Sequence, residues 1–180
     1  NDFRDQDLIN IIKKRNFDLV LYSKCNVISP KVFKESSKYS KTCLWFMDAM
    51  VNYTKEMQNK TSLVDYVCCD KPNVLDKAKS INSNSFLVYE GFDEDVDQPH
   101  DLKKEYEVSF IGSIYGDRQD TINRINREVK IITNAFGRNH AIEVSKSKIN
   151  LNFCTTDGAS DRVYKIMAAG GLLFTNDWSG

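Results

Sequence analysis

KINLNFCTTDGASDRVYKIMAAGGLLFT, residues 148–175, reads as a strand, a loop, a short helix and a second strand. Ile149, Leu151 and Phe153 alternate with Asn150 and Asn152, the two-residue period of a strand whose one face carries amides. Ser160 stands at the N-cap of a helix over 160–169. Gly170–Gly171 end that helix and turn the chain into the apolar run 171–175. A strand, a crossover helix and a second strand make the unit from which parallel sheets are built. Arg162 and Lys165 are out of place in it, because cations near a helix start oppose the macrodipole. Either both side chains point to water, or an anion is held between them and the helix amides.

The same alternation runs through the chain. DLVLYS (18–23), TCLWFM (42–47), VDYVCC (64–69) and SFLVY (85–89) are short apolar runs rich in β-branched and aromatic residues. EVSFIG (107–112), VKIIT (129–133), KINLNF (148–153) and GLLFT (171–175) repeat the pattern. Helical patterns lie between them at 30–39, 71–80, 117–127, 138–147 and 160–169, with another at 5–16 that puts Leu8, Ile11 and Ile12 on one face. The expectation is an α/β protein whose parallel sheets are covered by helices on both faces. EGFDEDVDQPHDLKKEY (90–106) breaks the rhythm with acidic residues, a proline and no apolar period. It reads as a linker, or as a long surface loop within one domain. The linker reading gives an N-terminal Rossmann-like lobe at 1–92, a connection at 93–106 and a C-terminal Rossmann-like lobe at 107–180, each short of a full set of strands.

The chain has 180 residues, 41% hydrophobic and 28% charged, as in a soluble globular protein. Its 25 basic and 25 acidic residues cancel, so no general field favours nucleic acid or an anionic membrane, and no run is long enough for a membrane span. The start, NDFRDQDLIN, lacks both a secretory pattern and an initiator Met, as expected of a piece cut from a longer chain. Cys25, Cys43, Cys68, Cys69 and Cys154 have no CxxC or metal spacing. They read as reduced core residues of a cytoplasmic protein.

A second site motif is FIGSIYGDR (110–118). In open α/β sheets ligands bind beyond the carboxyl ends of strands, and helix N-termini favour phosphate. Gly112 lets backbone approach a ligand closely, while Ser113 and Arg118 are potential donors. The motif is neither a dinucleotide fingerprint nor a Walker loop. Asp48, after TCLWFM, is a candidate acid/base and equally a helix or turn cap. His100 and His140 read as surface histidines.

Taken together, FDLVLYSKCNVISP (17–30), CLWFMD (43–48), FLVYEGFDEDVDQP (86–99), YEVSFIGSIYGDR (106–118) and VSKSKINLNFCTTDGASDRVYKIMAAGGLLFTND (144–177) resemble the CgeB-like glycosyltransferases of the spore-maturation-protein type. The resemblance implies a GT-B fold of two facing Rossmann domains. It also implies transfer of a sugar from a nucleotide diphosphate sugar, bound in the interdomain cleft, to an unknown acceptor: a glycan, a protein or a small molecule. No metal or other cofactor is implied, because basic side chains and helix amides meet the diphosphate charge. Carried over, the donor side comprises Gly112, Ser113, Arg118, Asn152, Asp157, Gly158, Arg162, Lys165, Gly170 and Gly171. Lys165 departs from the family, which has a ribose-holding Glu there, and Lys cannot accept a hydrogen bond. Either the ribose is held otherwise, or Lys165 adds a phosphate contact, or donor binding has decayed. The alternatives to a transferase are a GT-B epimerase and a non-catalytic module that binds a nucleotide sugar or glycan.

Overall fold

The computed structural model describes residues 2–125, 127–154 and 159–176. Their contacts divide the chain between Tyr89 and Glu90 into two compact units, each built on a four-stranded parallel sheet. No helix among the described residues is long and apolar enough to cross a membrane.

The first lobe runs α1 (Asp2–Arg15), β1 (Leu19–Ser23), α2 (Pro30–Ser36), β2 (Lys41–Phe46), a 3₁₀ turn (Met50–Asn52), α3 (Lys55–Thr61), β3 (Tyr66–Cys69), α4 (Pro72–Lys79) and β4 (Ser85–Leu87). Pro30 and Pro72 begin their helices, where a missing N–H costs nothing. Thr54 caps α3, its hydroxyl accepting from Met57 N at 3.3 Å. The apolar pattern had not marked α3.

The strand order is β1-β2-β3-β4, so every crossover steps the same way. Right-handed connections then place all the helices on one face of the sheet. One core results, with Phe33 of α2, Met57 of α3 and Val74 of α4 packed on Tyr22, Leu44, Phe46 and Val67. Ile9 and Ile12 of α1 are buried, whereas Ile11 is exposed. The opposite face carries Leu21, Cys43 and Tyr66 in one row and Trp45, Cys68 and Phe86 in the next. Leu19, Leu21, Tyr66 and Phe86 are exposed there, so helices on both faces do not hold for this lobe among the described residues. The cysteines are free thiols, and burial pushes Cys43 and Cys69 up to about 12.

The second lobe runs β5 (Tyr106–Ile111), α5 (Arg118–Asn123), β6 (Lys130–Ile132), α6 (Arg138–Lys146), β7 (Ser147–Asn152), α7 (Asp161–Ala168) and β8 (Leu173–Thr175). Its order, β6-β5-β7-β8, reverses direction after β6. With right-handed crossovers that reversal sends α5 to one face and α6 and α7 to the other. Two cores follow. Ile122 packs with Val108, Phe110 and Leu151 on one side, and Ala141, Val144 and Ile166 pack with Ile111 on the other.

The acidic segment expected to link the lobes is docked on the second one. Ser145 Oγ accepts from His100 N at 3.0 Å, and Lys104 Nζ donates to Ser145 O at 2.7 Å. Glu105 N donates to Lys146 O at 2.8 Å.

Candidate functional site

Where β5 leads one way and β7 the other, their connections diverge and leave a crevice at the carboxyl ends of the strands. A cavity of about 210 Å³ lies here. Gly112 and Ser113 after β5, Phe136 and Gly137 after β6, His140 of α6, and Asp161, Arg162 and Lys165 of α7 contribute to its walls.

Arg162 is the second residue of α7. Its Nε donates to Asn152 Oδ1 at 3.1 Å, and its guanidinium lies 5.7 Å from the Phe110 ring centroid. Gly112 makes room for it. With φ at +151°, Gly112 holds a backbone conformation that side-chain-bearing residues avoid, and an added Cβ would strike Arg162 Nη1. Among the described residues no carboxylate pairs with Arg162, because Asp161 bonds Lys165 instead, at 2.7 Å. Burial lowers the Arg162 pKa, and the nearby Arg118 charge lowers it further. A guanidinium so placed gains from a bound anion.

Gly112→Ala therefore acts twice. The strained backbone costs about 1–3 kcal/mol of stability, and Arg162 is driven from its seat. We expect a lowered melting temperature and loss of anion binding together, read by thermal melts and titration with pyrophosphate.

The other expected site residues divide by location. Arg118 is 2% exposed. It donates to Ser113 O at 2.9 Å and, through Nε and Nη2, to Phe153 O at 3.2 and 3.1 Å, so it braces two loops and does not line the cavity. Asn152 is also fully buried, and it orients Arg162. Ser160 occupies the N-cap position of α7, yet its hydroxyl donates to Asn152 Oδ1 at 3.3 Å and does not cap the helix. Lys165 lies in the last turn of α7, where its charge suits the dipole. Burial lowers its pKa, but the hydrogen bond and charge of Asp161 outweigh that and raise it overall. Lys165 is thus an ion-paired wall of the cavity. Gly170, at φ +71°, is the left-handed residue after the helix. Gly171 is hemmed in by Val144, Asn150 and Ile166. Asp157 and Gly158 lie outside the described residues.

In the first lobe, Asp48 is held as a cap. Its Oδ1 accepts from Ala49 N and Asn52 Nδ2, each at 2.9 Å, and its Oδ2 pairs with Lys24 at 3.0 Å. Burial pushes its pKa up, but the bonds from Asn52, Lys24 and Ala49 together bring it below the ordinary value. Asp70, beyond β3, behaves oppositely. It is buried and paired with Lys71, Oδ1 has no partner among the described residues, and burial raises its pKa. The sequence carried no signal for this carboxyl beyond its place at a strand end.

His140 is a plainer correction. It is 6% exposed and lines the cavity, so it is not a surface histidine. Neither ring nitrogen has a protein partner among the described residues. Burial lowers its pKa, opposed by Asp97 and Asp161 and assisted by Lys165 and Arg162.

Two Rossmann-like units in succession, each on a parallel four-stranded sheet, define an α/β protein of the GT-B-like class. Among solved structures the chain is similar to an alpha-glucosyltransferase in complex with UDP and a 13-mer DNA containing a HMU base, with a TM-score of 0.66. It is likewise similar to an alpha-glucosyltransferase in complex with UDP-glucose and DNA containing an abasic site, with a TM-score of 0.58. In both comparisons the identity is 9%, and the match covers 95% of this chain but 64% of the other. No protein-family model matches the chain, and no curated protein matches it significantly.

Proposed function

We propose that the second lobe binds the diphosphate of a nucleotide sugar in the crevice between β5 and β7, and that the chain belongs to a metal-independent glycosyltransferase. One observation carries this reading. Arg162 is a half-buried guanidinium with no carboxylate partner among the described residues, seated by Asn152 and Phe110 against the Cα of a glycine at a topological switch point. Diphosphate oxygens would meet that fork and the amides at the start of α7, a helix whose N-cap side chain is turned elsewhere. The resemblance to CgeB-like enzymes and the likeness to two solved glucosyltransferases support the same donor class.

Donor binding is tested by calorimetric titration with UDP-glucose, UDP and pyrophosphate. We expect UDP-glucose and UDP to bind, and pyrophosphate to bind more weakly. No heat with any of them would sink the reading. Transfer is tested by release of UDP from UDP-glucose in the presence of glycan, protein, small-molecule and DNA acceptors. DNA is included because both structural neighbours are bound to it, although the balanced charge of this chain had argued against a nucleic-acid partner. Binding without release would assign the alternative, a non-catalytic nucleotide-sugar module.

A further inference from the structure

The cavity wall carries polar groups of different chemistry. Arg162 brings to the wall a cation with no carboxylate hydrogen-bonded to it among the described residues, and Gly112 and Ser113 line the wall with it. Lys165 is paired with Asp161, and His140 feels charges of both signs, from Asp97 and Asp161 and from Lys165 and Arg162. A phosphate gains from the Arg162 guanidinium. His140 lines the same cavity from the first turn of α6, a helix capped by no side chain.

Burial lowers the pKa of His140 and so favours the neutral ring, with one N–H and one lone pair. Both ring nitrogens lack protein partners among the described residues, although the residue is 94% buried. Buried polar groups are costly when left unpaired, so a ring nitrogen that reaches the cavity stands to gain from a ligand group that can donate or accept. A hydroxyl does both, and a vicinal diol does so at two positions.

Resting on the donor reading above, we propose that His140 is a specificity-determining contact to sugar hydroxyls of the bound nucleotide sugar, those of its ribose or of its hexose. Phosphate then meets Arg162, and hydroxyls meet His140.

The test is calorimetric titration of wild type, His140→Phe and His140→Gln with UDP-glucose, UDP and pyrophosphate. Phenylalanine keeps a ring but offers no hydrogen bond, and glutamine restores a donor and an acceptor. His140→Phe should weaken UDP-glucose about tenfold and leave pyrophosphate unchanged, and His140→Gln should recover part of the loss. An equal loss for UDP assigns the hydroxyls to the ribose, and unchanged UDP assigns them to the hexose. Unchanged UDP-glucose binding in His140→Phe, or an equal loss for pyrophosphate, overturns the proposal. Should the phenylalanine variant fail to fold, His140→Leu carries the same comparison. If wild type binds none of the three probes, the donor reading falls and takes this proposal with it. If wild type binds and the His140 variants alone behave otherwise, only the proposal falls.

Discussion

Replacing Arg162 by alanine should weaken UDP-glucose binding about ten- to a hundredfold while leaving the melting temperature of the unliganded protein nearly unchanged. A charge-assisted hydrogen bond to a phosphate contributes about 1.5–3 kcal/mol, which sets the size of the affinity loss. Stability is spared because Arg162 contributes little before an anion arrives. Burial and the neighbouring Arg118 both disfavour its charge, and Asp161, which is bonded to Lys165, offsets them only in part. Asn152 Oδ1 keeps a partner in Ser160 after the substitution. Arg162→Lys should rescue only part of the affinity, because a single ammonium cannot reproduce the planar fork. Titration and melts of the three proteins check this. A lowered melting temperature with unchanged affinity would make Arg162 a structural residue.

Arg118→Ala should do the reverse. The Arg118 guanidinium is buried and makes hydrogen bonds to Ser113 O and Phe153 O, with its Cζ 3.9 Å from the Tyr115 ring centroid. Truncation removes a charged donor from two carbonyls and leaves a void between the loops that follow β5 and β7. We expect a loss of about 3 kcal/mol, seen as a melting temperature lowered by roughly 10 °C. Saturating UDP-glucose should recover some of that loss, since a ligand of the native state stabilises it. A variant that melts like wild type but binds poorly would move Arg118 from the scaffold to the ligand. The two arginines thus separate by opposite changes in the same pair of measurements.

Much of the architecture was legible because hydrophobic period reports local geometry. Each of the eight strands lies at its expected apolar run, within two residues at either end, since short β-branched and aromatic runs flanked by polar segments suit buried parallel strands. The helix α3 escaped because KEMQNKT buries Met57, Lys60 and Thr61, and only the first of these is apolar. The acidic segment 90–106 looked like a linker by composition, but its His100 and Glu105 contacts to the second lobe run through backbone N–H groups that composition does not record.

For the site, the sequence by itself marked two loops that flank the cavity. Glycine after β5 and arginine at the start of α7 are local features, and both lie beside the cavity. Only the tertiary structure decided what each charged side chain does, because that depends on partners far away in the chain. Arg118 is drawn to a carbonyl 35 residues on, while Arg162 is left without an acidic partner among the described residues. Lys165 is claimed by Asp161 one turn earlier, which helical spacing allowed but did not require. His140 came to line the cavity through burial beside a crevice made by the order β6-β5-β7-β8, and strand order is set by packing across the whole lobe.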